Sequence, residues 1–122
     1  MNTEIINNFI QYYISVFNDK TKFNEYILMW KEYSTLTYND ANYTGQTLID
    51  ILKHIYTLNI DISDPKYFKS SFMLIGDRRA NILLTYRMLD SNGQILNISQ
   101  YIQLAYSNLK EYWIHSSLLN LI

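Results

Sequence analysis

The chain has 122 residues, of which 48% are apolar and 17% charged, with a formal net charge of −1. That is enough chain for one core, taken as a single domain over 1–122, and too apolar for a disordered segment. So small a net charge gives no field for nucleic acid or an anionic membrane, and the lack of cysteine excludes a disulfide scaffold, a thiolate metal site and a thiol nucleophile.

The opening Met1-Asn2-Thr3-Glu4 lacks the basic-then-apolar pattern of a signal peptide. Ile5, Phe9, Tyr12, Tyr13, Val16 and Phe17 recur in steps of three and four, which predicts an amphipathic helix over 3–18. Phe23, Tyr26, Ile27 and Trp30 repeat the period and predict a shorter helix over about 20–30. The Thr- and Tyr-rich stretch 33–38 reads as a short strand, and Asn39-Asp40-Ala41-Asn42 as a turn. Thr44 is a suitable N-cap, and after Gly45 the residues Leu48, Ile49, Leu52, Ile55 and Tyr56 mark a third helix. From there the period drops to two. Residues 59–64 alternate and stop at Pro65, the only proline, and 71–75 is a strand that Gly76-Asp77 turns or bulges. Arg78-Arg79 reads as a solvated loop pair. A stronger strand follows over 82–89, then Asp90-Ser91-Asn92-Gly93 with the Asn-Gly signature of a hairpin. The return strand over 94–107 sends Leu96, Ile98, Ile102 and Leu104 to one side and Asn97, Ser99, Tyr101 and Gln103 to the other. A turn at 108–111 precedes the last strand, 112–121. No apolar run approaches the roughly 18 to 20 residues of a membrane span.

The order α-α-β-α followed by an antiparallel meander predicts an α+β domain with one sheet face on the helices. The other face carries Asn97, Ser99, Tyr101 and Gln103, with Thr85 and Arg87 beside them. Such a face is either solvated or buried in a dimer.

Four stretches together resemble the nuclear transport factor 2-like family. They are Phe9-Ile10-Gln11-Tyr12-Tyr13 through Phe17-Asn18-Asp19, Leu36-Thr37-Tyr38 through Gly45, the strand centred on Gln100, and Trp113 in the last strand. The resemblance implies a cone: a strongly bent antiparallel sheet packed on three helices, with a pocket at the open end. It also implies pairing through the sheet face, with Arg87, Asn97, Ser99, Tyr101 and Gln103 as contacts. Asn39, Asp40 and Asp90 mark the place of contacts to Ran-GDP or a second partner. The family's import carrier meets Ran-GDP with an acid directly after its tryptophan and with acids in the hairpin. Here Tyr38 replaces the tryptophan, Asn39 the acid, and the hairpin keeps only Asp90. An amide accepts a neutral hydrogen bond about half as strong as a charge-assisted one. No exposed tryptophan for nucleoporin Phe-Gly repeats stands among residues 1–8. The pattern is similar to the small subunit of the mRNA-export receptor. The expectation is therefore a non-enzymatic transport factor of the nucleus, cytoplasm and nuclear pore. It would pair with a homologous domain of a larger export receptor, and nucleoporin Phe-Gly repeats would be a further partner. The alternatives are a homodimeric carrier of Ran-GDP and a small-molecule isomerase, dehydratase or ligand-binding protein using the cone.

The enzyme alternative requires a buried acid or imidazole beside a hydroxyl. Tyr13, Tyr26, Tyr38, Asp40 and His54 are the candidates, with His115 expected on the outer side of the last strand. Asp40 sits in a turn and reads as solvated. His54, between Leu52 and Ile55, reads as an exposed or satisfied helix residue. The two histidines lie far apart with no acid at ligand spacing, so neither a metal nor a cofactor is expected. Trp30 and Trp113 are expected as core residues.

Overall fold

The computed structural model describes residues 2–108 and 111–122; Met1, and the Leu109-Lys110 tip of the turn expected at 108–111, lie outside this range. Helix α1 (Asn2–Asn18) follows the apolar period, burying Ile5, Ile6, Phe9, Ile10, Tyr13, Val16 and Phe17. Asp19 then caps a short turn, accepting the Thr21 N–H at 3.1 Å. Helix α2 (Phe23–Leu28) ends sooner than its period suggests, because Trp30 already opens strand β1 (Trp30–Tyr38). Trp30 is buried as expected, but as a strand residue.

The turn after Tyr38 is tighter than predicted. Asn39 and Asp40 alone make it, at φ 48° and 70°, and strand β2 (Ala41–Thr44) returns antiparallel to β1. Asn and Asp tolerate this left-handed geometry better than other residues with a side chain, and it suits a two-residue hairpin. Thr44 stands at the N-cap of helix α3 (Gly45–Ile55), as expected. The Thr47 hydroxyl accepts the Thr44 N–H at 3.2 Å and donates to the Thr44 carbonyl at 2.7 Å. Gly45 takes φ +56°, open to glycine at no steric cost.

Strands β3 (Asn59–Ile60), β4 (Lys69–Ile75), β5 (Arg79–Leu89), β6 (Ile95–Asn108) and β7 (Glu111–Leu121) complete one seven-stranded sheet. Its order is β2-β1-β7-β6-β5-β3, with β4 on β5 beside β3. The meander β5-β6-β7 is the one the alternation predicts. The position of β1 is not: it lies parallel to β7, so the first long strand neighbours the last. Between the pairs Trp30↔Ile114 and Thr35↔Ser116, residues 31–34 of β1 face only His115 of β7. The Ser34 hydroxyl fills this bulge, accepting the Lys31 N–H at 2.7 Å and donating to the Ile114 carbonyl at 2.6 Å. Bulges of this kind bend a strand and increase its twist. The result is the cone-shaped α+β architecture of the nuclear transport factor 2-like fold, with three helices against a curved sheet.

Candidate partner-binding face

The two faces of the sheet differ in chemistry. On the inner face Ile82, Leu84, Ile102, Leu104 and Ile114 are buried beneath α1 and α3. The cone is filled by rings. Tyr13, Phe17, Tyr26 and Tyr56 pack with centroids 5.0–6.2 Å apart. Tyr56 O–H donates to the Val16 carbonyl at 2.8 Å, while the Tyr13 hydroxyl reaches Gln100, which is buried in the middle of β6. Tyr86 O–H donates to Gln100 Oε1 at 2.6 Å, and Gln100 Nε2 donates to Tyr13 Oη at 3.2 Å and to Ser117 Oγ at 3.1 Å. Ser117 O–H in turn donates to the Tyr101 carbonyl at 3.0 Å.

Burial raises the Tyr13 hydroxyl above its ordinary value, and raises Tyr26 and Tyr86 well above it, with the neighbouring Tyr13 adding to both. These groups therefore stay neutral donors at physiological pH, and no base lies among them. Among the described residues the one buried carboxylate is Asp61, outside this cluster. Its Oδ1 accepts from Ser63 Oγ and Ser63 N–H, at 2.6 and 3.0 Å. Those bonds, with Arg87 beside it, hold the Asp61 carboxyl below the usual range. Tyr12 lines a surface cleft of about 250 Å³ with Glu25, Leu28, Met29 and Tyr112. Neither Tyr26 nor Tyr38 lines that cleft; Tyr26 is sealed in the core and Tyr38 is half-buried. His54 and Asp40 are exposed. Among the described residues no group of three or more His, Asp or Glu could hold a metal ion, and no helix is long and apolar enough to cross a membrane.

The outer face carries an apolar row. Ladder pairing sets Leu83, Tyr101 and Leu118 side by side across β5, β6 and β7, continued by Ser71 on β4 and Thr37 on β1. Met73 lies one step away, opposite Asn81. Met73 is 65%, Leu83 45% and Leu118 40% exposed. Polar rows flank them: Asn81, Gln103, Ser116 and Thr35 on one side, Thr85, Ser99 and Asn120 on the other. An apolar centre inside a polar rim, with charge kept to the margin, is the composition of a protein interface.

The expected contacts Asn97, Ser99, Tyr101 and Gln103 share this face, and Arg87 stands opposite Asn97 at its border. Arg87 is committed within the fold. Its Nη2 bonds Asp61 Oδ2 at 3.2 Å and its guanidinium stacks 3.7 Å from the Tyr67 ring. Asn39 is also engaged, donating its N–H to the Leu119 carbonyl at 3.4 Å and accepting the Leu121 N–H on Oδ1 at 3.5 Å. Asp90 holds its own turn, accepting the Asn92 and Gln94 N–H groups at 2.9 and 2.8 Å. Asp40, exposed like Asn39, alone of these three has no side-chain hydrogen bond among those described.

Trp113 departs from its expected core role. It pairs with Ala105, one step out of phase with buried Ile114, so it faces outward and is half-buried beneath the Lys31 ammonium at 5.7 Å. His115, the bulge residue, is half-buried, with its ring centroid 6.0 Å from that of Tyr33 and the two rings at 81°. Sequence reasoning passed over Met73, Leu83 and Leu118, although simple alternation from Tyr101 across the hairpin would have found Leu83.

No protein-family model matches the chain, and no curated protein matches it. Solved structures do. Nuclear transport factor 2 from Cryptosporidium parvum aligns with a TM-score of 0.76 at 18% identity, over 95% of this chain and 90% of its own. The C. albicans Mtr2–Mex67 M domain complex aligns with a TM-score of 0.73 at 10% identity, over 98% and 93%. The complex of yeast deubiquitinase Ubp3 with its Bre5 cofactor aligns with a TM-score of 0.72 at 16% identity, over 100% and 97%. At such identities the likeness is one of fold. Two of these three structures are complexes with another protein.

Proposed function

We propose that this protein is a non-enzymatic binding module that pairs its outer sheet face with a second domain of the same architecture. The observation that carries the reading is the Leu83-Tyr101-Leu118 row at the centre of a polar-rimmed face, with both leucines exposed and Tyr101 half-buried between them. Burying such a row removes apolar surface from water at about 25 cal/mol per Å². The filled cone and the neutral Tyr13-Gln100-Tyr86 cluster favour this over an isomerase or dehydratase, which would require an accessible buried acid.

The finer reading is the small subunit of a heterodimeric mRNA-export receptor, working between nucleus and cytoplasm at the nuclear pore. Its support is at the turns. Asn39 offers an amide already bonded to β7, and Asp90 is occupied in its own hairpin, so a lysine of Ran-GDP would find only Asp40 free of such bonds. The test is purification of the tagged chain from cell extract with identification of any stoichiometric companion. A larger chain carrying a domain of this fold is the expected companion, lost with Tyr101→Glu. Recovery of Ran-GDP with Phe-Gly nucleoporins and no larger companion overturns the export reading. Retention of the companion by a folded Tyr101→Glu variant overturns the face.

A further inference from the structure

Strand β4 pairs on one side only, with β5, from Lys69↔Thr85 to Ile75↔Arg79 without a register break. Its other edge meets no strand among the described residues. Folded proteins blunt such edges with proline, a bulge, an inward charge or brevity, because free N–H and C=O groups template another strand. The edge strand at the far side of the sheet, β2, has only four residues. By contrast β4 has seven, no proline, no bulge and a single charge at its start. Six of the seven are exposed, and Met73, Leu74 and Ile75 present 65%, 39% and 42% of their surface. A groove of about 320 Å³ runs beside it on the outer face, lined by Ser71, Met73, Leu83 and Tyr101 among others.

Charge selects what can lie there. Lys66 and Lys69 stand at one end of the strand and Arg78 and Arg79 at the other, against Asp64 and Asp77. Asp64 is 3.7 Å from Lys66; Lys69, Arg78 and Arg79 have no ion-pair partner among the described residues. A second copy added antiparallel about Phe72, the middle of the strand, would set Lys66 opposite Arg78 at both ends. Like charges so placed oppose association. We infer that the free edge of β4 accepts an extended segment of another protein, apolar at alternate central positions and acidic at both ends. The added strand takes its affinity from main-chain hydrogen bonds, its register from side chains packing beside Met73 and Leu74, and its selectivity from the terminal cations. The edge borders the pairing face and shares Met73 and the groove beside Leu83 and Tyr101 with it. The main-chain groups of β4 and the terminal cations lie outside that face, so the charge swap at 69 and 79 and the Tyr101→Glu variant test the two readings separately.

The probe is a fluorescein-labelled peptide, Asp-Glu-Val-Thr-Val-Thr-Val-Asp-Glu, titrated with the full chain and followed by anisotropy and amide hydrogen exchange. Saturable binding that weakens with salt is expected, with slowed exchange confined to the amides of 69–75. The double variant Lys69→Glu, Arg79→Glu, both exposed positions, loses about tenfold or more in affinity and gains binding to the lysine-ended version of the peptide. Three results overturn the inference: no saturable binding, binding indifferent to the charge swap, or protection elsewhere. A fourth is protection of 69–75 that rises with protein concentration in the absence of peptide, which assigns the edge to a second copy.

Discussion

The two faces of one sheet have been finished differently. On the inner face the buried aliphatics of the strands join one core with rings and aliphatics of the helices, and the buried polar groups at Gln100 satisfy one another. On the outer face Leu83, Tyr101 and Leu118 lie level in a row with nothing above them. The strands are the same and the residues alternate along them, so neither backbone nor strand propensity separates the faces. What separates them is what covers each. The chain supplies a cover for the inner face, and none of the described residues covers the outer row.

Changes that respect this division should affect either stability or pairing. Ile102→Ala, in the sealed inner layer, is expected to cost about 2–5 kcal/mol in urea unfolding. Its folded fraction should pair with unchanged affinity. Tyr101→Glu is expected to do the reverse, lowering partner affinity about a hundredfold in sedimentation or titration, as loss of a central interface aromatic does. Its unfolding midpoint should stay near that of the parent. A collapse of stability in Tyr101→Glu would erase the distinction between the faces.

Gln100→Leu tests the inner polar cluster. It strands the Tyr86 and Tyr13 hydroxyls in the core and should cost about 1–3 kcal/mol. If the cone were an open, water-filled pocket, water would replace Gln100 and the loss would be small.

The last prediction concerns alkaline pH. The folded-state values of Tyr13, Tyr26 and Tyr86 are raised by burial above the ordinary value of about 10. The unfolded chain therefore releases those protons first, so their stabilising contribution is complete below pH about 10 and declines above it. Near-ultraviolet absorbance should show Tyr13, Tyr26 and Tyr86 ionising only together with unfolding. Ionisation of these three with the fold intact would mean that the cone is open.

Arg87 crosses the division. From the sequence it is expected as a contact of the outer face, and the strand register sets it opposite Asn97. Its bonds to Asp61 and its stacking on Tyr67 make it a brace between β5 and the segment after β3. Replacing it exposes the fold to an unpaired Asp61 before it tests any interface.

By itself the sequence determined what depends on neighbours along the chain. The three- and four-residue steps of Phe9, Tyr13 and Phe17 specify α1, and Thr44-Gly45 specifies the start of α3. Asn92-Gly93 specifies the hairpin, and the alternation through Gln100 specifies β6. Helical period, capping and turn chemistry act over a few residues, so they can be read locally. Tertiary structure alone decided that Trp30 leaves a helix for a strand, that β1 runs parallel to β7, and that Trp113 turns outward past the His115 bulge. It also decided that Leu83 and Leu118, far apart in the chain, flank Tyr101. These outcomes rest on backbone pairings between distant segments, where one residue of register sends a side chain to the core or to solvent.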